Sequence, residues 1–364
     1  MKRLFSVKTK MFDTFCFVLS FTVLYASVIP CSAQEDGRSS VLFILDIAPE
    51  ARSSGMGDVG AATAPDATAQ RWNAAKYVFA PQSGGVSLSY TPWLSKIIKG
   101  MNMGFLSGYM RFENSAVGIS ALYLSTGGIE LYTGDGTYTG AITSGEYAMD
   151  VSYSRRLGRY LSGGITLRYA NGLKVESAGS SSGGVLRPSP AIAGDVAFFY
   201  SKPVSTFDRE ALLSFGTCLS NLGTKVKLSG DKEIFLPMNW RLGATWNVDL
   251  NMSSALSTSF DINKSLVPAN YHANSTMFEA IRESFDKARD FIWSVGVEYS
   301  FVRAAMLRVG YHNSRNNMGY RYFTLGAGLV YQSFSFDGSY LITTSNISSP
   351  LSNTFRITMS YLWK

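Results

Sequence analysis

The sequence has few residues of the kinds that form disulfides, bind metals or act in hydrolysis. Its 364 residues include three cysteines and two histidines. Two of the cysteines fall within the first 33 residues, which we expect to be cleaved, so only Cys218 remains. A disulfide within the mature chain and a cysteine metal cluster are therefore excluded. A hydrolase would need a Ser–His pair with an orienting group, and only His272 and His312 are present.

Long apolar runs are also missing beyond the first 33 residues. No later stretch reaches the roughly 18 consecutive apolar residues that a membrane helix needs. Hydrophobic residues make up 46% of the chain and aromatic residues 13%, yet the mean hydropathy is only +0.05. Membrane β-barrels have this balance, because their strands are apolar on the outer face and polar on the inner face.

The N-terminus carries the features of a secretory signal peptide. Four basic residues precede the apolar stretch 14–29, which is followed by small residues up to Ala33. We predict that residues 1–33 are a signal peptide cut near Ala33, with an N-terminal anchor helix as the alternative. Cleavage would lower the net charge from +7 to +4, since four basic residues and one acidic residue leave. The basic composition therefore gives no argument for a nucleic-acid partner.

A two-residue rhythm recurs through the rest of the chain. Between residues 146 and 154, Tyr147, Met149, Val151 and Tyr153 alternate with small or charged residues. Successive side chains of a strand point to opposite faces, so this strand has one apolar and one polar face. The repeats run for about ten to twelve residues, which is enough to cross a bilayer at a tilt and longer than most strands of soluble sandwiches. The rhythm predicts a transmembrane β-barrel.

Fourteen strands are predicted, and most of them show this alternating pattern. They lie near residues 85–92, 101–112, 115–126, 145–156, 160–171, 190–201, 210–221, 236–248, 252–263, 291–302, 304–313, 320–331, 333–344 and 353–363. The last strand ends in alternating aromatic residues, which resembles the assembly signal of outer-membrane barrels.

The connections between these strands support an even strand count. Counted from a periplasmic N-terminus, the connections after even strands are short and those after odd strands are long, as in outer-membrane barrels. The connection 202–209 is the least tidy of the short ones, and 127–144 is one of the long ones. We therefore predict an all-β membrane protein, a 14-stranded antiparallel barrel in the outer membrane of a Gram-negative bacterium.

Two stretches do not fit the strand pattern. Residues 34–84 are rich in alanine and glycine, which suggests a compact plug inside the barrel mouth. Residues 272–291 have an apolar stripe and a capping box formed by Thr276 and Glu279, which predict an amphipathic helix on an extracellular loop. This helix is either a lid resting on the rim or a surface where a partner docks. The predicted organisation is a signal peptide (1–33), a plug (34–84) and a barrel with long extracellular loops (85–364).

Charged residues of both signs fall on the predicted inward faces of the strands. We interpret them as ion-pair networks in the lumen that hold the plug. They are Glu146, Asp150, Arg168, Asp195, Arg241, Asp261, Glu298, Arg308, Asp337 and Arg356. His312 shares an inward face with Arg308, which favours a structural histidine over a catalytic one.

The plug region carries a motif that resembles a known family. Its parts read Ile47-Ala48-Pro49-Glu50-Ala51-Arg52, Gly55-Met56-Gly57-Asp58, Ala62-Thr63-Ala64-Pro65-Asp66-Ala67 and Arg71-Trp72-Asn73-Ala74-Ala75-Lys76-Tyr77. This stretch resembles the PorV family of the type IX secretion system, whose members are outer-membrane proteins with a FadL-like barrel and an N-terminal plug. Family members often read Trp-Asn-Pro-Ala, whereas this chain has alanine at position 74.

The resemblance implies a shuttle that carries secreted proteins. Such a protein would receive cargo from the outer-membrane translocon by its C-terminal sorting domain and deliver it to a sortase-type attachment complex, in contact with membrane lipid or lipopolysaccharide. No catalytic residue, cofactor or metal is expected. The plug residues that we single out as structural are Gly55, Gly57, Asp58, Asp66, Trp72 and Asn73. The candidate docking residues are apolar and lie on outer loops: Trp93, Leu94, Ile97, Ile98, Phe278, Ile281 and Phe285.

A FadL-type transporter of hydrophobic small molecules is the main alternative. Such a transporter would need a continuous apolar track along the inner wall. Inward apolar positions such as Phe199, Leu212, Leu341 and Leu362 are instead scattered among charged ones. A general porin fits less well, because the plug would occupy its channel.

Overall fold

A computed structural model of the chain describes residues 42–92, 100–132, 135–172, 189–206, 208–227, 233–267, 275–286, 291–314, 321–344 and 353–364. Within these residues, fourteen antiparallel strands close into one barrel. No described helix is long and apolar enough to cross a membrane. The closed order of the strands confirms the fourteen-stranded barrel predicted from the alternating pattern.

The strand boundaries follow the predicted ones closely. The barrel strands are β1 (Gly84–Pro92), β2 (Met101–Arg111), β3 (Ser115–Tyr132), β4 (Tyr138–Arg156), β5 (Leu161–Gly172), β6 (Ala191–Thr206), β7 (Arg209–Gly223), β10 (Asn239–Asn251), β11 (Ser254–Ser265), β12 (Phe291–Phe301), β13 (Ala305–Ser314), β14 (Arg321–Tyr331), β15 (Phe334–Thr343) and β16 (Phe355–Trp363). Two further strands, β8 (Val226–Lys227) and β9 (Glu233–Ile234), form a small separate sheet.

Each barrel strand pairs with its neighbour in sequence, and β7 pairs with β10 across the small sheet. The barrel closes where β1 meets β16, from Gly84 opposite Trp363 to Tyr90 opposite Ile357. A closed barrel leaves no unpaired strand edge, so every wall strand has its backbone donors and acceptors satisfied by neighbours.

Two connections between strands are shorter than the sequence predicted. Strands β6 and β7 continue to Thr206 and from Arg209, so the untidy connection 202–209 is a short turn like the others at its end of the barrel. The predicted loop 127–144 is wrong in part, because β3 and β4 remain paired from Gly128 opposite Thr143 to Tyr132 opposite Tyr138. The β-branched residues in both arms favour extended backbone, and a bulge after Ser125 absorbs the change in register.

Burial alternates along the strands as the rhythm predicts. On β4, Met149 and Val151 are exposed by 58% and 57%, whereas Asp150 between them is buried. The exposed positions carry large apolar side chains around the barrel, and the buried positions carry mostly small or polar ones. The apolar face is therefore the outer, lipid-facing surface.

Residues 42–80, which we call the inner segment, form no strand. They contain a short α-helix (Ala51–Ser54) and three 3₁₀ turns (Phe43–Asp46, Ala69–Arg71 and Ala74–Phe79). The segment hydrogen-bonds to inward side chains on strands from β2 to β16, for example to Ser107 and Thr358. A segment that contacts the inward face on all sides of a closed barrel must lie in its lumen.

Candidate functional site

The centre of the inner segment lies directly against the backbone of the barrel wall. Gly57 has a φ of +74°, and a Cβ atom there would lie 2.8 Å from the backbone nitrogen of Tyr311. On the wall, a Cβ at Gly310 would lie 2.1 Å from the nitrogen of Gly57. Only glycine combines this left-handed conformation with so close an approach. Gly55 has ordinary helical angles, and its role is also close contact, since its Cβ would lie 3.0 Å from the Cα of Gly326.

Trp72 and Asn73 tie the parts of the inner segment to each other. The indole nitrogen of Trp72 donates to Glu50 Oε1 at 3.0 Å, and its ring lies where a Cβ at Gly60 would be. The side-chain amide of Asn73 donates to the carbonyl oxygens of Ala61 and Phe198, both at 3.0 Å. These two side chains therefore fix the fold of the segment and one of its contacts with β6.

Asp66 belongs to an ion-pair network that joins the inner segment to the wall. It accepts a hydrogen bond from the backbone of Thr68 at 2.9 Å and pairs with Arg52 at 2.7 Å. Arg52 also pairs with Glu298 of β12 at 3.1 Å, and Glu298 pairs with Arg308 of β13 at 2.6 Å. Since these groups are largely buried, removing any one of them leaves a charge with fewer partners in a place of low dielectric.

Asp58 faces a different set of groups near the end of the barrel with the long loops. It has a φ of 64° and accepts a hydrogen bond from the hydroxyl of Tyr322. The Tyr322 ring stacks on the ring of His312, with centroids 4.5 Å apart, and His312 Nδ1 lies 2.9 Å from Ser294 Oγ. The Ser–His pair that the fold creates is thus enclosed in the lumen, where Tyr322 connects it to the inner segment.

Other inward charges predicted from the sequence bind the backbone of the inner segment. Glu146 accepts from the backbone nitrogen of Ile44 at 2.7 Å. Asp261 accepts from the backbone nitrogens of Gly60 and Ala61 at 2.8 and 2.9 Å. The guanidinium of Arg356 donates to the carbonyl oxygen of Ala48 at 3.0 Å.

Arg168 forms a network that stays within the wall. It pairs with Asp150 of β4 at 2.8 Å and with Asp195 of β6 at 3.0 Å. Arg168 thus links the two carboxylates across three neighbouring strands, so this network stabilises the barrel wall rather than the inner segment.

Two features of the inner segment escaped the sequence analysis. Lys76 is fully buried, and its ammonium group donates to the carbonyl oxygen of Gly60 at 2.8 Å and to Thr63 Oγ1 at 3.0 Å. Leu42, Ile44, Leu45 and Ile47 enter an apolar cluster with wall residues of β2 to β6. The apolar residues 42–45 and Ile47 are a signal in the sequence that could have predicted this cluster. A lysine, in contrast, gives no signal that it will be buried.

The outer helix runs from Met277 to Asp286. Of the stretch 272–291 predicted for it, residues 272–274 and 287–290 lie outside the described residues, and Phe291 begins β12. Its capping box is present: Thr276 donates its backbone N–H to Glu279 Oε2 at 2.7 Å, and Thr276 Oγ1 accepts from the Glu279 N–H at 3.3 Å. The hydrogen bond that the backbone N–H of Thr276 donates to the Glu279 carboxylate lowers the pKa of Glu279. Both caps satisfy backbone groups at the start of the helix and fix its first turn.

The three candidate docking residues on the outer helix have different surroundings. Ile281 packs at the edge of a buried cluster that contains Phe235, Met238, Leu266 and Ala280. The Phe285 ring lies 6.4 Å from the ring of Trp240 and is 50% exposed. Phe278 is 76% exposed. Trp93, Leu94, Ile97 and Ile98 lie outside the described residues.

Comparison with known proteins places the chain in a family. A protein-family model for the type IX secretion system protein PorV matches residues 32–272, which is more than half of the chain. The chain belongs to the PorV family. A search of curated proteins finds no match.

Solved structures show the same fold. The chain is similar to the toluene transporter TodX of Pseudomonas putida, with 13% identity over 85% of this chain and 96% of that chain and a TM-score of 0.51. It is also similar to a FadL homologue of Pseudomonas aeruginosa, with 12% identity over 86% and 98% of the two chains and a TM-score of 0.46. This PorV-family protein is therefore an outer-membrane barrel that shares its fold with TodX. At such low identity the likeness concerns the fold and not what is transported.

Proposed function

We propose that this protein is a non-enzymatic shuttle of the type IX secretion system. It binds the C-terminal sorting domain of cargo proteins that leave the outer-membrane translocon and delivers them to the sortase-type attachment complex. Membership of the PorV family is the observation that carries this proposal. The fold alone would not, because barrels of this shape serve different functions.

The contacts of the inner segment support a function of the protein in which nothing passes through the barrel lumen. The segment is held by buried ion pairs through Arg52 and by backbone approach at Gly57. Moving it would expose charged groups that are paired only in the present arrangement. We infer that the inner segment acts as a plug. Cargo would then bind at the outer rim, by which we mean the end of the barrel that carries the long loops and the outer helix.

The outer helix supplies a surface suited to a protein partner. Phe278 presents most of its ring to solvent, and Phe285 exposes half of its own. Aromatic side chains are frequent among the residues that dominate binding energy at protein interfaces. We propose Phe278 as an anchor for the sorting domain, with Ile281 and Phe285 holding the helix on the rim beside it.

The FadL-type transporter stays as a second candidate because of the fold that the chain shares with TodX. The apolar inward residues weigh against a continuous track. Phe199 packs with Ala75 in one cluster, whereas Leu362 packs with another cluster around Tyr77. Both clusters are covered by the inner segment.

Co-purification in mild detergent separates the two candidates. The tagged protein is extracted from outer membranes, and both the proteins and the small molecules that accompany it are identified. The shuttle predicts recovery of a large translocon barrel, an attachment protein, or secreted proteins that share one C-terminal domain. Recovery of the barrel alone with a stoichiometric apolar small molecule would contradict the shuttle and favour the transporter.

A substitution at the outer rim tests the docking surface. The Phe278→Ser variant is expected to bind a purified sorting domain at least about tenfold more weakly, since an interface anchor is worth more than about 1.4 kcal/mol. The matched control is Met252→Ser, which removes a side chain that is 98% exposed at the opposite end of the barrel. Equal affinity of wild type and Phe278→Ser would contradict the assignment of this anchor.

A further inference from the structure

Three basic side chains lie on the outer wall around the turn between β4 and β5. Arg155 follows the lipid-facing Tyr153 by two positions on β4 and points to the same face. Lys202 follows Tyr200 by two positions on β6, and Arg159 lies in the turn between β4 and β5. All three are exposed. They lie at the end of the barrel with the short turns, which is the periplasmic end of outer-membrane barrels.

The turn between β4 and β5 is held against β6 beside Lys202. The backbone nitrogen of Ser201 donates to the carbonyl oxygen of Tyr160 at 2.8 Å, which ties the turn to β6. The guanidinium of Arg159 lies 5.2 Å from the centre of the Tyr160 ring, and that ring meets Tyr200 edge-on at 6.2 Å. We call Arg155, Arg159 and Lys202 the basic rim.

The basic rim has no acidic partner among the described residues. No described carboxylate lies within 4.0 Å of any of its three cations, and the acidic residue of the adjacent β2–β3 turn, Glu113, is not within that distance. Other turns at the same end differ. Arg303 pairs with Asp249 across neighbouring turns at 3.9 Å, and Arg209 stands between Asp208 and Glu210.

The surface beside the basic rim is apolar. Ile165, which lies opposite Tyr153 in the register of β4 and β5, is 61% exposed. Leu157 in the turn and Leu161 at the start of β5 are 57% and 38% exposed. The three cations of the basic rim therefore lie where the apolar, lipid-facing surface ends. This is the level of the lipid headgroups.

We propose that the basic rim binds the headgroup phosphate of an anionic phospholipid in the periplasmic leaflet, with the acyl chains lying along Tyr153 and Ile165. Arginine donates paired hydrogen bonds to phosphate oxygens, and these charge-assisted bonds are stronger than neutral ones. Three cations without a carboxylate partner favour a lipid with net negative charge over a zwitterionic one. The apolar wall above them distinguishes a lipid from a soluble phosphate, because only a lipid contacts both.

Lipid retention measured by native mass spectrometry tests this site. The detergent-purified protein is incubated with phosphatidylglycerol or with phosphatidylcholine. The wild type is expected to retain phosphatidylglycerol preferentially. A variant carrying Arg155→Ser, Arg159→Ser and Lys202→Ser is expected to lose this preference, with at least about a tenfold drop in retained phosphatidylglycerol.

The control removes the same charge from the same end of the barrel. It carries Arg209→Ser, Arg303→Ser and Lys364→Ser and is expected to retain phosphatidylglycerol like the wild type. Equal loss in both triple variants would show a general effect of net charge and overturn the proposal, as would unchanged retention in the basic-rim variant.

Competition experiments distinguish a phospholipid from a soluble anion or an acidic protein as the ligand of the basic rim. Millimolar inorganic phosphate or an acidic polyglutamate peptide is added to the lipid-loaded wild type. Retention of the lipid under both conditions supports a phospholipid site. Complete displacement by either competitor would show a site for a soluble anion or an acidic protein and would overturn the lipid assignment.

Discussion

Among the described residues, the inner segment and the outer helix are the two main parts that are not strands, and they are held in opposite ways. The inner segment contacts the wall through buried ion pairs such as Arg52 with Glu298 and through bare backbone at Gly57. The outer helix rests on a small apolar cluster around Ala280 and exposes most of Phe278. This difference agrees with the proposed function, in which the inner segment stays in the lumen and a partner protein binds at the outer helix.

The close approach at Gly57 gives the largest expected effect. In a Gly57→Val variant the new Cβ would lie 2.8 Å from the backbone of Tyr311, at a φ of +74° that β-branched residues avoid. We expect this variant to fail to reach the folded barrel. The measurement is the shift in gel migration on heating that folded outer-membrane barrels show.

The matched control for this substitution is Gly104→Val on the lipid-facing side of β2. A Cβ at Gly104 meets nothing within 4 Å, so this variant should fold like the wild type. If Gly57→Val folded as well as Gly104→Val, the inner segment would not be seated against the wall as described.

Loss of the charge at Glu298 is expected to have the next largest effect. A Glu298→Gln variant leaves Arg52 and Arg308 buried with one charged partner fewer each. We expect the free energy of unfolding to fall by about 3 kcal/mol, as for other buried pairs that lose a partner. Urea titration of the protein in lipid vesicles measures this change.

The exposed ion pair of Asp249 and Arg303 serves for comparison. These side chains are 43% and 74% exposed and lie 3.9 Å apart, so Asp249→Asn should cost less than about 1 kcal/mol. Similar losses for Asp249→Asn and Glu298→Gln would mean that the lumen network is as weak as a surface pair.

The cap of the outer helix gives the smallest expected effect. A Thr276→Ala variant loses the hydroxyl that accepts from Glu279, which should destabilise the helix by about 1 kcal/mol. Amide hydrogen exchange in residues 277–286 should then be about fivefold faster. Exchange in the inner segment should not change. Faster exchange in both regions would show that the helix and the lumen are coupled.

The sequence predicted the barrel well because the two-residue rhythm is enforced by lipid outside and polar contacts inside. The alternation in residues such as Met149, Asp150 and Val151 shows the face of each side chain directly. The inward charges were also predictable, because a charge such as Arg168 on an inner face needs a partner of opposite sign.

The interior was predicted less completely, because contacts between distant parts of the chain leave no local pattern. The burial of Lys76 depends on where Gly60 and Thr63 lie in space. The difference between Phe278 and Ile281 depends on how the helix rests on residues such as Phe235. A helical stripe shows that a face is apolar but not which of its residues stays exposed.

A disulfide that fixes the inner segment to the wall tests the central claim most directly. In a Cys218→Ala background, cysteines replace Ala75 and Gly164, whose Cβ positions lie 3.4 Å apart, just below the usual spacing of a disulfide. The new Cβ at residue 164 would lie 3.0 Å from the backbone nitrogen of residue 75, so the turn there must shift by a few tenths of an ångström. Display of cargo proteins on cells is measured before and after oxidation. If the inner segment stays in the lumen and cargo binds at the outer rim, the amount of cargo displayed on cells should be the same before and after the disulfide forms. Loss of display on oxidation, with recovery on reduction, would contradict the account.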